Sequence, residues 1–259
     1  SDEVEERVRA GEAFAFPLQD RWYRNQWAIV LTSNSDSALA AKIRRGERNV
    51  VQSLVDKEMQ RWKAEVYEKG EQEDLEDSLW TKHGWMIRVQ HDYRMHLDTT
   101  YTGENGKPTH FLTMQRLLPS NDRRFWAWWQ EDVQNINFMD EEWINAKRDS
   151  VLEKWLRGTR DNSYVTTEYR VPVETTSFRL DGDIAYESLA WWRMTEDAMG
   201  GPLVSLTVYD DESRRLFMLG YFQFAPKYNK RRFVRQFRAM LRTFKSDSTW
   251  NQKETIAAN

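Results

Sequence analysis

The fold of this chain is best predicted from residues 203–224, which read LVSLTVYDDESRRLFMLGYFQF. Two apolar segments, 203–209 and 216–224, flank a polar turn at residues 210–213. A connection this short joins antiparallel strands, because a parallel pair needs a crossover of about a dozen residues or more. The sequence therefore predicts a β-hairpin here.

The segment after this hairpin predicts an amphipathic helix. Its apolar residues fall within an arc of about 120° at the helical period; they are Phe233, Val234, Phe237, Met240, Leu241 and Phe244. A second, narrow arc holds four basic residues, which we name the arginine ridge: Arg231, Arg235, Arg238 and Arg242. We expect one buried face and one basic face.

Patterns upstream predict further strands and helices around the same core. Strands are expected near 27–32, 85–89, 111–117, 125–129, 164–173 and 184–194, and helices over 39–66 and 140–157. Both faces of segment 125–129 are apolar, with Trp126 and Trp128 on one and Phe125 and Trp129 on the other, so both should be covered. The acidic segment 71–77 is interpreted as a solvated face or a loop.

These elements predict an α+β fold. The sheet is expected to be mostly antiparallel, with helices packed on it and the C-terminal amphipathic helix closing it. We predict a poorly ordered segment at 1–21, one domain over 22–245 with a possible subdomain boundary near 81–84, and a polar tail at 246–259.

Composition excludes several classes of function. The 259 residues include no cysteine, so disulfides, thiolate metal sites and cysteine nucleophiles are absent. A net charge of −3 gives no global attraction to nucleic acid. No standard catalytic motif occurs, and the four histidines show no metal-ligand spacing, so we expect no cofactor and no metal.

The most distinctive loop joins Glu196 and Asp197 to Gly200, Gly201 and Pro202. One interpretation is a site: the carboxylates contact a ligand or cation, or Asp197 acts as a general base, and the glycines allow close approach. The other interpretation is structural: Asp197 caps backbone amides, the glycines supply special dihedral angles and Pro202 opens a strand.

Aromatic and basic side chains supply the other candidate binding residues. Thirteen tryptophans is a heavy load, and five of them could form a stacking surface: Trp126, Trp128, Trp129, Trp191 and Trp192. The alternative is packing inside the core. The arginine ridge could bind an acidic partner, a phosphate or a membrane surface; the alternative is a solvated helix face with some arginines paired to local carboxylates.

Several of these residues also carry a resemblance. Trp191-Trp-Arg-Met-Thr-Glu-Asp-Ala-Met-Gly-Gly-Pro202, Phe224-Ala-Pro226, Lys230-Arg231 and Lys147-Arg-Asp-Ser-Val151 resemble the uncharacterised domain-of-unknown-function family 4837. The resemblance covers roughly residues 22–245. Members of that family are mostly predicted envelope lipoproteins of Bacteroidota. The resemblance implies an extracytoplasmic location with a lipid anchor on an upstream cysteine, and it allows no catalytic residue to be assigned. The order of elements also resembles PsbP-type folds, a likeness of fold alone.

Three hypotheses follow for the function. The first is a non-enzymatic binding or structural module of the cell envelope, whose partner is an envelope protein or glycan and which meets the membrane through its anchor. The second is a hydrolase with a site at Glu196 and Asp197, and the third is a glycan-binding protein that uses exposed Trp.

Overall fold

The computed structural model describes residues 2–11, 14–103, 106–118 and 121–250. The chain divides into two compact units, residues 1–62 and 63–259. The first unit contains α1 (Asp2–Arg9), the antiparallel pair β1 (Ala15–Gln19) and β2 (Trp27–Leu31), and most of the long helix α2 (Asp36–Tyr67).

The second unit contains the remaining helices and strands. Its helices are α3 (Glu73–His83), α4 (Glu141–Trp155) and α5 (Lys230–Leu241). Its strands are β3 (Trp85–Met86), β4 (Arg94–Thr102), β5 (Pro108–Leu118), β6 (Asn121–Gln130), β7 (Val165–Thr167), β8 (Glu174–Leu180), β9 (Asp183–Met194), β10 (Gly200–Asp210), β11 (Arg215–Phe224) and β12 (Lys245–Ser246).

An eight-stranded sheet forms the centre of this unit, in the order β4-β5-β6-β11-β10-β9-β7, with β8 also paired to β9. Every pairing within it is antiparallel. The predicted α+β class and the predicted hairpin at 203–224 are therefore confirmed.

Each face of the sheet carries its own core. On the face we name the α5 face, helix α5 packs with α3 and the last turn of α2. On the opposite, α4 face, helix α4 packs against the sheet. Strand β6 contributes Phe125 and Trp129 to the first core and Trp126 and Trp128 to the second, which confirms that it is covered on both sides.

Helix α5 has the predicted buried face, which includes Phe233, Phe237 and Met240. It begins after Asn229, whose side chain accepts a hydrogen bond from the backbone N–H of Arg231. The helix ends at Leu241, earlier than the apolar pattern, although Phe244 beyond it is still buried. The C-terminal amphipathic helix is confirmed.

The acidic segment 71–77 differs from its interpretation as a solvated face or loop. Its residues 73–77 form the first part of α3, in which Glu73, Asp74 and Asp77 are exposed and Glu76 is buried at 7% exposure. The Glu76 carboxylate accepts a hydrogen bond of 2.6 Å from the backbone N–H of Val89. Burial raises the pKa of Glu76, and this hydrogen bond opposes that effect.

Several predicted strands are shorter than their patterns. Only Trp85–Met86 of segment 85–89 and Val165–Thr167 of segment 164–173 form strands. Strands β4 and β8 were not predicted at all. The dipeptide Asn105-Gly106 in the sequence is typical of a hairpin turn, and Asn105 lies outside the described residues.

Domain limits also differ from the sequence interpretation. Residues 1–21 include α1 and β1, and the division between the units follows Trp62, whereas residues 81–84 are the end of α3. Asp247, in the expected polar tail, is buried, and residues 251–259 lie outside the described part. No described helix has the length and apolar content needed to cross a membrane.

Candidate ligand-binding site

A cavity of about 320 Å³ lies on the α4 face, between α4, the adjoining ends of β4, β5 and β6, and the loop after β6. Five aromatic side chains line it: Tyr101, Trp128, Phe138, Trp143 and Trp155. Pockets that bind small ligands are mostly apolar and aromatic, with a few polar groups that fix orientation. This cavity has that character.

The rings of the cavity are held by contacts among themselves. The indole N–H of Trp128 donates to the Tyr101 hydroxyl at 3.2 Å, and Trp155 stacks on Phe111 with ring centroids 4.9 Å apart. Phe138 and Trp143 lie with ring centroids 4.8 Å apart. The ring faces are therefore positioned before any ligand arrives, which reduces the ordering cost of binding.

Helix α4 brings two lysines to the same cavity. The Lys147 ammonium lies 4.7 Å from the centroid of the Trp128 ring, and the Lys154 ammonium lies 3.6 Å from that of Tyr101. Both distances are within the range of a cation–π interaction. The cavity thus combines ring faces with positive charge.

The motif Lys147-Arg-Asp-Ser-Val151, noted in the sequence only as part of the resemblance, explains how α4 is placed. Lys147, Ser150 and Val151 line the cavity. The other two side chains fix the helix to β7: Arg148 donates to the Thr167 hydroxyl at 3.2 Å, and the Asp149 carboxylate accepts from the Thr167 N–H at 3.0 Å. The helical period therefore places part of the motif at the cavity and part against β7.

The structure separates the five tryptophans of the predicted stacking surface. Trp126, Trp129 and Trp192 are buried, and Trp191 is exposed at 40%. Trp128 is 2% exposed and still lines the cavity. Four further rings of the cavity were not proposed from the sequence, because they come from β4, α4 and the loop at 131–139, which only the fold brings together.

The loop with Glu196 and Asp197 is tied to its neighbours. The Asp197 carboxylate accepts from the Ser163 hydroxyl at 2.8 Å and pairs with Arg160 at 3.1 Å. Arg160 also donates to the backbone carbonyl of Glu196 at 2.9 Å, while the Glu196 side chain is exposed. Neither carboxylate lines the cavity.

Gly200 and Gly201 begin β10, and neither has a positive φ. Both positions require glycine because a side chain would not fit there. A Cβ at Gly200 would lie 2.7 Å from the backbone oxygen of Trp192, and one at Gly201 would overlap the backbone oxygen of Gln223. These contacts are with neighbouring strands, so the close approach is to the sheet.

The arginine ridge is divided between surface and core. Arg238 and Arg242 bind the carboxylate of Glu187, at 2.6 Å and 3.0 Å, and Glu187 is 4% exposed. Arg231 is exposed and Arg235 is half-buried. Two of the four arginines therefore hold α5 on the sheet.

Two of the histidines meet on the α5 face, at the end of the sheet. His110 stacks on Trp129, with ring centroids 4.6 Å apart, and binds Glu131 at 3.0 Å. His83 binds Asp98 at 3.1 Å, and burial lowers the pKa of His83. In the described parts of the chain, no three His, Asp or Glu side chains are arranged to hold a metal ion.

A smaller cavity of about 190 Å³ is acidic; its lining includes Asp181 and Asp183. Burial, followed by the nearby carboxylates of Asp210, Glu212 and Asp211, raises the pKa of Asp183 to about 6. Its lining also contains Lys245 and Trp80, so acidic, basic and aromatic groups are mixed in it.

Fold and cavity together define an α+β protein with an aromatic-lined pocket between its sheet and helix α4. The chain belongs to the family described as Domain of unknown function (DUF4837), whose model matches residues 72–243. Searches of the curated proteins and of the solved structures returned no match. The likeness to PsbP-type folds therefore stays a prediction.

Proposed function

We propose that this protein is a non-enzymatic binding module of the cell envelope, and that it takes a glycan ring into the cavity beside α4. The observation that carries the proposal is the set of five aromatic rings around one cavity of about 320 Å³. That volume is at the lower end of ligand pockets, which suits a small ring-bearing ligand.

The polar lining of the cavity supports a glycan. Thr102, Thr109, Gln130 and Ser150 place hydroxyl and amide groups beside the rings. A sugar has apolar C–H faces that pack on aromatic rings and hydroxyl groups that exchange hydrogen bonds with such side chains. The Thr109 hydroxyl already donates to the Lys107 carbonyl, but a purely apolar ligand would cover the other polar groups without offering them partners, at a cost in free energy.

The arrangement supports binding rather than hydrolysis. A hydrolase site needs an acid and a base that converge on one position. Asp197 contacts Ser163 and Arg160 instead, and the Glu196 side chain is exposed. The proposed location in the envelope rests on the resemblance of residues 191–202 and 147–151 to the family.

A variant that fills the cavity tests the proposal. Ser150 is an exposed residue of α4 that lines the cavity, and Ser150→Trp should occupy the ligand's space without disturbing the core. Tryptophan fluorescence titration against neutral and acidic oligosaccharides should show saturable binding by the native chain, weakened about tenfold or more in the variant. Bound ligand should also raise Tm.

Ala146→Trp is the matched control, because Ala146 is also exposed on α4 and does not line the cavity. It should bind like the native chain. The proposal is wrong if no oligosaccharide produces a saturable change, or if Ser150→Trp binds as tightly as Ala146→Trp.

A further inference from the structure

The cavity beside α4 carries a charge opposite to that of the whole chain. Its lining includes two lysines, and none of its described lining residues is acidic. The chain as a whole has a net charge of −3, with 41 acidic and 38 basic side chains. A locally positive pocket attracts anions that the chain as a whole does not attract.

The two lysines are arranged to act on one ligand. Positions 147 and 154 are seven residues apart on α4, so they lie on the same side of the helix about 10 Å apart along its axis. Each ammonium lies over a ring that also lines the cavity, Trp128 for Lys147 and Tyr101 for Lys154. A ring stacked in the cavity would therefore have an ammonium group close to its edge.

Hydrogen-bonding groups in the cavity restrict the chemical class of the ligand further. Thr102, Gln130 and Ser150 lie among the rings, and the indole N–H of Trp155 is buried without a partner among the described residues. A benzoate-type acid without ring hydroxyls would pair with the lysines but would offer these groups fewer hydrogen bonds. A saccharide that also bears a carboxylate satisfies both sets.

We propose that the ligand of this cavity is an acidic saccharide, a uronic acid unit whose ring packs on the aromatic side chains and whose carboxylate binds Lys147 and Lys154. This inference rests on the proposed function and adds to it the class of glycan. Lysine suits the role, because its ammonium offers three donors to a carboxylate and to neighbouring hydroxyls.

The test compares oligogalacturonates with their methyl esters, which keep the rings and remove the charge. Calorimetric titration of the full chain should show the acid bound about tenfold or more tighter than the ester, in keeping with the strength of charge-assisted hydrogen bonds. Lys147→Gln and Lys154→Gln should each remove most of this preference, and Lys→Arg at either position should keep it.

Lys69→Gln is the control, because Lys69 is exposed and lies outside the cavity. It should bind both ligands like the native chain. Thermal unfolding of each variant separates loss of binding from loss of folding. Binding of the acid should also weaken as salt is raised.

Each other outcome contradicts a specific part of the argument. Equal affinity for acid and ester, unchanged in the glutamine variants, overturns the inference and leaves the proposed glycan binding in place. Equal affinity for benzoate and for the oligogalacturonate overturns the identification of the ligand as a saccharide. Failure of the acid, the ester and every neutral oligosaccharide to bind overturns the proposed function as well.

Discussion

At the scale of single residues, two glycines of the sheet are matched to two tryptophans. Gly220 lies directly opposite Trp126 across β11 and β6, and Gly201 lies opposite Trp192 across β10 and β9. A Cβ at Gly220 would lie 2.7 Å from atoms of the Trp126 ring. The Trp126 indole fills the space that Gly220 leaves, whereas at Gly201 the Gln223 backbone oxygen lies nearest and the Trp192 indole nitrogen next, so both positions are packed without a side chain.

Gly220→Ala should therefore destabilise the protein by overpacking, by about 2 kcal/mol. The Trp126 ring is fully buried and has no room to move away from the new methyl group. Urea unfolding followed by fluorescence would measure the change in the free energy of unfolding.

The double variant Trp126→Phe with Gly220→Ala separates this cause from a general effect of alanine. Phenylalanine is smaller, and because the Trp126 indole N–H has no hydrogen-bond partner among the described residues, this change removes packing but no hydrogen bond. The double variant should be more stable than the sum of the two single changes predicts. Simple additivity would contradict the packing argument.

The positions of single side chains could be predicted in part from the residue pattern. The two-residue period of a strand correctly assigned Trp126 and Trp128 to one face and Phe125 and Trp129 to the other. The period does not tell which ring of a buried strand borders a cavity. Trp128 has that position because α4 and the loop at 131–139 leave space there.

At the scale of elements, α5 is held on the sheet by apolar contacts and by a buried carboxylate. Glu187 lies on β9, on the face that α5 covers, and binds Arg238 and Arg242. A buried carboxylate is costly unless it is paired, and two arginines satisfy its oxygens. The basic face of this helix is thus partly structural.

Glu187→Gln should reduce the free energy of unfolding by about 2 kcal/mol, because the amide keeps one acceptor oxygen for one arginine and turns an NH₂ donor toward the other, so one of the two hydrogen bonds is lost. Amide hydrogen exchange in α5 should accelerate in parallel. Chemical denaturation at neutral pH measures the first effect and mass spectrometry the second.

Glu65→Gln, in α2, is the control for a second carboxylate that contacts α5. Glu65 pairs with Arg232 of α5, and both side chains are exposed, at 39% and 64%. Exposed pairs contribute about 0–1 kcal/mol, so this change should have little effect. Equal losses in the two variants would contradict the role of the buried carboxylate.

Two physical causes explain why some helices and strands could not be predicted from the sequence. Strand β8, ETTSFRL, and strand β4, RMHLDTTYT, are largely polar, because they lie at or near the edges of the sheet and bury little. Helix α3 was missed because its acidic residues suggested solvent, although Glu76 is turned inward. The central strands and α5 were predictable because burial imposed their patterns.

At the scale of the whole molecule, the second unit contains a complete core of its own. All residues of the α5-face core lie at position 66 or beyond, and all of the α4-face core lie at 97 or beyond. The family match at 72–243 falls entirely within residues 63–259. The same unit holds every residue that lines the cavity.

A chain consisting of residues 63–259 should therefore fold alone and keep the cavity. Three of the thirteen tryptophans, Trp22, Trp27 and Trp62, are removed by this truncation, so the ten that remain report on the second unit. Because its two hydrophobic clusters use no residue of the first unit, near-ultraviolet circular dichroism should show ordered aromatic side chains, and heating should give one cooperative transition. The fragment should bind the same oligosaccharides as the full chain. A fragment that lacks both the near-ultraviolet signal and the transition would show that the second unit needs residues 1–62 to fold.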